Sequence, residues 1–540
     1  MASLRTALVR SWVVSPLGRG IVPPLARGPT RHFKHAGAGL RRFSAHSPVE
    51  QVKPVRQFPC VDHMEERSRQ LLAAQDQHSL IVQPPPGHAV FQHRQPFLCD
   101  YGGLLPGFDM AYEIWGELNA DRDNAILIHT GLSASSHAKS HAENSTPGWW
   151  EKFIGPGCAI DTNKFFVICT NVLGGCYGST GPSSVNPVTQ RRFATDFPVL
   201  SLHDMVRAQF LLLDSLQIST LHASVGASMG GMQSIAAAAM YPERVSRLVS
   251  ISACARSHPY SIAMRHVQRQ VLMSDPHWQK GHYYDGVLPH AGMKLAREIA
   301  TISYRSGPEW EKRFGRKRRN FYHQPEFCPD FEIETYLDHQ GEKFCLQYDP
   351  NSLLYISKAM DLFDMSAPAL GDLILRREAA RQTYQAHGHT LPNDDPAHIP
   401  YKAVRGTLDL SAVQPAAHPL YGLELNGVDS SSAEACSSST PLASHIQHMP
   451  TPPAIEDGYT EEQHLVHGLS SIQIPTLVLG VKSDILFPVW QQQEIARAIR
   501  KSGNQRVVYY ELDAMYGHDT FLIDLPNIGA AVKGHLENAL

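Results

Sequence analysis

Short apolar runs alternate along this chain with amphipathic or alanine-rich segments. Residues 108–116, 124–129, 165–170, 247–252, 474–481 and 506–511 are short and mostly apolar, and each stops at a turn-forming or polar residue. Runs of that length read as strands buried on both faces rather than as helices. Ser201-Leu202-His203-Asp204 has the form of a capping box and opens an amphipathic segment reaching Ile218; residues 489–501 carry a second helical pattern. Strand and helix in alternation predict a doubly wound α/β sheet, mostly parallel, whose first part covers residues 97–254 and whose second part covers 462–540.

Between these parts the pattern changes. Over residues 255–387 buried-strand runs vanish, and helical periodicity recurs at 266–273, 292–304, 308–319 and 352–363. A helical insertion between two strands of such a sheet predicts a lid over the carboxyl ends of the strands. Residues 388–461 are rich in Pro, Ser, Ala and His, with Ser430-Ser431-Ser432 and Ser437-Ser438-Ser439-Thr440. That composition does not offset its ordering entropy, and a loosely attached surface insertion is expected.

The amino-terminal segment differs again. No Asp or Glu precedes Glu50, while Arg5, Arg10, Arg19, Arg27, Arg31, Lys34, Arg41 and Arg42 are basic. Basic, serine-containing and free of acid, residues 1–43 read as a mitochondrial presequence, and Arg41-Arg42-Phe43-Ser44 resembles a matrix-peptidase site cut after Phe43. The expected location is the mitochondrial matrix, and residues 44–96 are expected to be a poorly ordered extension.

The formal net charge of −3 includes those basic residues, so the rest of the chain is distinctly acidic, which excludes a nucleic-acid partner. No apolar run is long enough to cross a bilayer. Nine cysteines are scattered without a CxxC pair, which points to a reducing compartment and argues against a disulfide framework or structural metal.

The candidate chemistry centres on residues 221–241, where an apolar run ends in Gly226-Ala227-Ser228-Met229-Gly230 and passes into an alanine-rich segment. Strand, sharp turn and helix around GxSxG make a nucleophile elbow, and Ser228 is the candidate nucleophile. A serine hydroxyl needs a base, and the base needs a carboxylate to fix its tautomer. Asp484 follows one late strand and His518 follows the last. The order Ser, Asp, His is that of α/β-hydrolases. Two backbone N–H groups must hold the oxyanion: Met229 supplies one, and Leu132, in the loop after residues 124–129, is the expected second. His129 and His137 in and near that loop are read as structural.

Residues 226–233 (Gly-Ala-Ser-Met-Gly-Gly-Met-Gln), 174–187 (Gly-Gly-Cys-Tyr-Gly-Ser-Thr-Gly-Pro-Ser-Ser-Val-Asn-Pro), Lys294-Leu295-Ala296-Arg297, Arg313-Phe314-Gly315-Arg316 and Tyr516-Gly517-His518-Asp519 closely resemble the homoserine O-acetyltransferase family of α/β-hydrolase-fold acyltransferases. The resemblance implies a triad of Ser228, Asp484 and His518, with Arg297 and Asp519 holding the amino-acid acceptor by its carboxylate and ammonium groups. It implies ping-pong transfer from an acyl-CoA co-substrate, with no metal or organic cofactor, and a possible homodimer formed through the lid. The presequence, the Pro/Ser insertion and residues 303–318 look most like the fungal mitochondrial branch of serine O-acetyltransferases and serine O-succinyltransferases. The expected acceptor is therefore L-serine, ahead of homoserine, with acetyl-CoA preferred over succinyl-CoA. A serine esterase or thioesterase is the alternative from another class.

Overall fold

The computed structural model describes residues 58–75, 84–325, 327–388 and 458–538. Eight strands form one sheet: β1 (Ala89–His93), β2 (Phe108–Trp115), β3 (Ala125–His129), β4 (Phe166–Thr170), β5 (Ala223–Ala227), β6 (Leu248–Ile251), β7 (Thr476–Val481) and β8 (Val507–Leu512). Their spatial order is β1-β2-β4-β3-β5-β6-β7-β8. From β4 to β8 every pairing is parallel. The expected α/β-hydrolase fold with a mostly parallel sheet is the fold observed. One strand departs from the parallel reading: β2 runs antiparallel to both β1 and β4. Its burial is interrupted at Asp109, Tyr112 and Ile114 instead of being continuous, as suits a strand near a sheet edge.

The central strands explain why the sequence shows unbroken apolar runs. All five residues of β3 are buried, and side chains alternate between the two faces. Leu127 joins a core with helices α2 (Leu202–Ser215) and α3 (Met229–Met240). Ile126 and Ile128 join the opposite core with Val225, Leu479 and Val532 of the terminal helix Ala530–Glu537. Each such side chain contributes about 1.5–3 kcal/mol on burial, so both faces must be covered. The capping box at Ser201 forms as expected: Asp204 N donates to Ser201 Oγ at 2.9 Å while Ser201 N donates to Asp204 Oδ2 at 3.0 Å.

All twelve residues of α3 are buried, so the helix must lie close against the sheet. Two glycines of the elbow permit this. A Cβ on Gly226 would meet the Gly230 carbonyl oxygen at 2.1 Å, and one on Gly230 would meet that of His129 at 2.1 Å. Backbone atoms on both sides leave no route for relaxation. Gly226→Ala is therefore expected to cost about 3 kcal/mol or more, read as a fall in the denaturant midpoint with activity lost alongside it.

Between β6 and β7 the described residues form seven α-helices: α4 (Pro259–Met273), α5 (His290–Tyr304), α6 (Gly307–Arg313), α7 (Glu332–Cys345), α8 (Pro350–Asp361), α9 (Ala367–Ala386) and, just ahead of β7, α10 (Glu461–Gly468). Helix α4 begins ahead of its apolar pattern because Pro259 occupies its first turn and the His258 side chain caps it. Helix α6 stops short of the expected 319, with Gly315 at φ 53° just beyond it. Helices α7 and α9 were not anticipated. Helix α9 is crowded with Arg, Glu and Gln, and one of its buried positions is Arg377, paired with Asp100 at 3.1 Å. A helix that buries a charge shows no clean apolar stripe.

Residues 44–96, expected to be poorly ordered, contain helix α1 (Pro59–Gln75) and strand β1. Helix α1 reaches the lid through His63 to Glu342 and Ser68 to His290. Its Cys60 is joined to Cys328 by a disulfide, with Cα atoms 5.3 Å apart. The scattered cysteines argue against a disulfide framework, and this one link departs from that expectation: the partners are 268 residues apart, a separation that leaves no local motif. Residues 1–43, the expected presequence, and nearly all of residues 388–461, the expected loose insertion, lie outside the described residues. No described helix is long and apolar enough to cross a membrane.

Candidate active site

Ser228 joins β5 to α3 at φ 58° and ψ −129°, a backbone conformation that L-residues avoid. The strain is held by the surroundings: Ser228 N donates to Ile251 O at 2.9 Å, and Ser228 O accepts from Met232 N at 3.1 Å. The residue is 9% exposed and lines a cavity of about 360 Å³, a volume suited to a small ligand.

Asp484 and His518 arrive on the loops after β7 and β8. Oδ1 of Asp484 accepts from the backbone N–H groups of Leu486 and Phe487, both at 2.9 Å, which fixes the carboxylate. Its Oδ2 accepts from His518 Nδ1 at 2.7 Å. The imidazole stacks on Phe487, with centroids 5.2 Å apart, and meets Phe521 edge-on at 5.4 Å. With Nδ1 committed to the carboxylate, Nε2 is the nitrogen left for chemistry; it is buried and has no hydrogen-bond partner. Burial disfavours the imidazolium, but the Asp484 carboxylate, joined by Asp519, outweighs it and holds the His518 pKa above its ordinary value. His518 lines the same cavity as Ser228, without a hydrogen bond joining the two. Such contacts are often long before substrate binds.

Met229 is the first residue of α3, and Leu132 lies in the cavity wall on the loop after β3. Neither backbone N–H donates to another described residue. Tyr348 fixes this loop by donating its hydroxyl to Leu132 O at 2.7 Å. Farther along, the loop is tied to Glu113, buried on β2. Its Oε1 accepts from Ser136 Oγ at 2.8 Å, and its Oε2 lies 2.7 Å from His137 Nδ1 and 2.9 Å from His141 Nε2. His137 thus serves the loop, while His129 is buried against Ser224 Oγ at 2.8 Å, and burial pushes its pKa down to about 3. Both were read as structural. Glu113, His141 and Tyr348 carried no signal in sequence.

Arg297 on α5 and Asp519 beside His518 line the same cavity. The Arg297 guanidinium sits over the rings of Phe344, at 4.3 Å, and Tyr304, at 5.1 Å, and forms no ion pair with a described carboxylate. Its Nε is buried without a hydrogen-bond partner. Asp519 pairs with Arg305 Nη2 at 3.2 Å, a partner the sequence reading did not foresee, and burial holds its pKa above the usual carboxylate range. Arg265 and Gln268 of α4 also line the wall and were likewise missed, because an arginine on a lid helix looks like any surface arginine.

The sequence and the architecture have counterparts among known proteins. Residues 124–396 match the family model described as the alpha/beta hydrolase fold. A serine O-succinyltransferase of Emericella nidulans is 51% identical over 96% of this chain and 95% of its own length. One from Schizosaccharomyces pombe is 49% identical over 95% of this chain and 100% of its own. Among solved structures, homoserine O-acetyltransferase from Bacillus anthracis superposes with a TM-score of 0.62 at 23% identity, covering 84% of this chain and 98% of that one. The structure of esterase E22 gives 0.61 at 23% identity over 84% of this chain and 100% of its own. Likeness at that identity bears on the fold alone, whereas near-complete coverage at about half identity identifies kin: the chain belongs to the serine O-succinyltransferase family, O-acyltransferases built on the α/β-hydrolase fold.

Proposed function

We propose that this chain transfers an acyl group from an acyl-CoA to the hydroxyl of L-serine through an acyl-serine intermediate on Ser228. The observation that carries the reading is the His518–Asp484 hydrogen bond at 2.7 Å, which leaves Nε2 unpartnered in a cavity that Ser228 also lines. In the first half-reaction His518 Nε2 takes the Ser228 proton as Oγ attacks the thioester carbonyl. The tetrahedral oxyanion is held by the N–H groups of Met229 and Leu132. Collapse expels coenzyme A, which leaves as the thiol with the proton from His518. In the second half the acceptor hydroxyl gives its proton to His518 and attacks the ester, and Ser228 recovers that proton on leaving.

Arg297 and Asp519 suit an amino-acid acceptor: a guanidinium fork matches the α-carboxylate, and a carboxylate matches the α-ammonium. A simple esterase has no use for that clamp. Transfer outruns hydrolysis because a bound hydroxyl has a high effective concentration in a site sheltered from water. For the donor, the names of the relatives at 49–52% identity support succinyl over the acetyl group expected from sequence. O-acylation turns the serine hydroxyl into a leaving group, the chemistry needed before replacement by sulfur in cysteine synthesis. The acid-free, basic residues 1–43 support delivery to mitochondria.

Thiol release from succinyl-CoA and acetyl-CoA, followed with L-serine, with L-homoserine and with no acceptor, tests this reading. Release that depends on L-serine is expected. Equal or faster turnover with homoserine overturns the acceptor, and steady release without any acceptor makes the protein a thioesterase.

A further inference from the structure

Three arginines line the cavity, and the acids beside them do not balance their charge. Arg305 is matched by Asp519 and Glu309. Arg297 has aromatic rings beside it and forms no ion pair with a described carboxylate, although Asp519 lies near enough to feel its charge. Arg265 shares its acid: Nε donates to Asp361 Oδ1, while Oδ2 of the same carboxylate pairs with Arg269 Nη2. Two guanidinium groups on one carboxylate leave a positive surplus at that wall. Serine enters as a zwitterion and brings no net charge to offset it.

The unused hydrogen-bonding capacity lies on the same residue. Arg265 is only 3% exposed, its Nη2 donates to Ser257 Oγ at 3.1 Å, and its Nη1 has no partner. A buried guanidinium nitrogen left without an acceptor is costly, and an anionic ligand group would remove that cost. The same cavity is lined by Gln268, Met360 and Leu486, an amide donor and two apolar side chains. This combination fits a short methylene chain ending in a carboxylate.

We propose that Arg265 holds the distal carboxylate of a dicarboxylic acyl donor, and so selects a succinyl group over neutral acyl groups; the assignment rests on the acyltransferase reading above. Arg297 then serves the acceptor and Arg265 the donor, and two carboxylates of different origin occupy one cavity without competing. Asp361 keeps Arg269 as a partner when Arg265 is altered, so the lid retains its ion pair.

The test compares succinyl-CoA with butyryl-CoA, which is similar in length and lacks the terminal charge, using L-serine as acceptor. The full-length wild-type enzyme is expected to favour succinyl-CoA in kcat/KM by about 30-fold or more, the scale of a buried charge-assisted contact. In Arg265→Gln that ratio is expected to collapse toward unity, and Arg265→Lys to fall between. With butyryl-CoA as donor, the KM for L-serine is expected to stay near its wild-type value in both variants. A wild-type ratio near one, a ratio unmoved by either substitution, or a raised serine KM with butyryl-CoA overturns the role of Arg265 and leaves the function reading intact. A wild-type protein that acylates serine from neither donor overturns the function reading itself.

Discussion

Ser228→Ala is expected to lower kcat by about 10⁴-fold or more while leaving the circular dichroism spectrum and the unfolding midpoint near wild type. The size of the effect follows from the mechanism. Without Oγ there is no atom to carry the acyl group between donor and acceptor, so what survives is only the rate given by binding and the oxyanion donors. The fold is spared because Ser228 is held through its backbone, by Ile251 O and Met232 N, and those bonds are indifferent to the hydroxyl. Turnover near the wild-type rate in the variant removes Ser228 from the reaction.

Asp484→Asn is expected to lower kcat by about 10⁴-fold and to move the acid limb of the pH–rate profile to lower pH. His518 must be neutral to accept a proton, so activity rises with pH through its pKa. In the native site burial pulls that pKa down, and the Asp484 carboxylate, with a smaller contribution from Asp519, pulls it up and prevails. Removing that charge leaves burial opposed only by Asp519, the smallest of the contributions, so the neutral imidazole persists to lower pH. It persists in a poor orientation, because the amide no longer dictates which ring nitrogen carries hydrogen. The substitution thus widens the pH range of a much slower enzyme. Rates measured from about pH 5 to 9 check both effects. An acid limb that stays in place means that another group sets it.

The residues dictate the sheet more clearly than they dictate the lid. Strands such as β3 are buried on both faces, so nearly every residue is apolar and the run is unmistakable; the elbow adds a motif whose steric demands are visible in Gly226 and Gly230. Lid helices bury less and pair more. Helix α9 hides Arg377 against Asp100 and shows no stripe, while in α7 the apolar positions are outnumbered by polar ones and only Gly341, Phe344 and Cys345 are buried. Ser228, His518 and Asp484 were legible because each stands at the end of a strand. Arg305 and Arg265 were not, because their place in the cavity depends on how α4 and α5 fold back across the sheet. The Glu113 brace and the Cys60–Cys328 link were hidden for the same reason: each joins segments distant in the chain.

The central claim is that one hydroxyl carries the acyl group from donor to acceptor. Its most direct test is mass spectrometry of the wild-type protein mixed with succinyl-CoA in the absence of acceptor, with peptide mapping, and then again after L-serine is added. The account expects a succinyl adduct on the peptide holding Ser228, lost on addition of L-serine as O-succinylserine appears. An adduct on a different residue, or serine acylation at full rate with no covalent enzyme species, contradicts it.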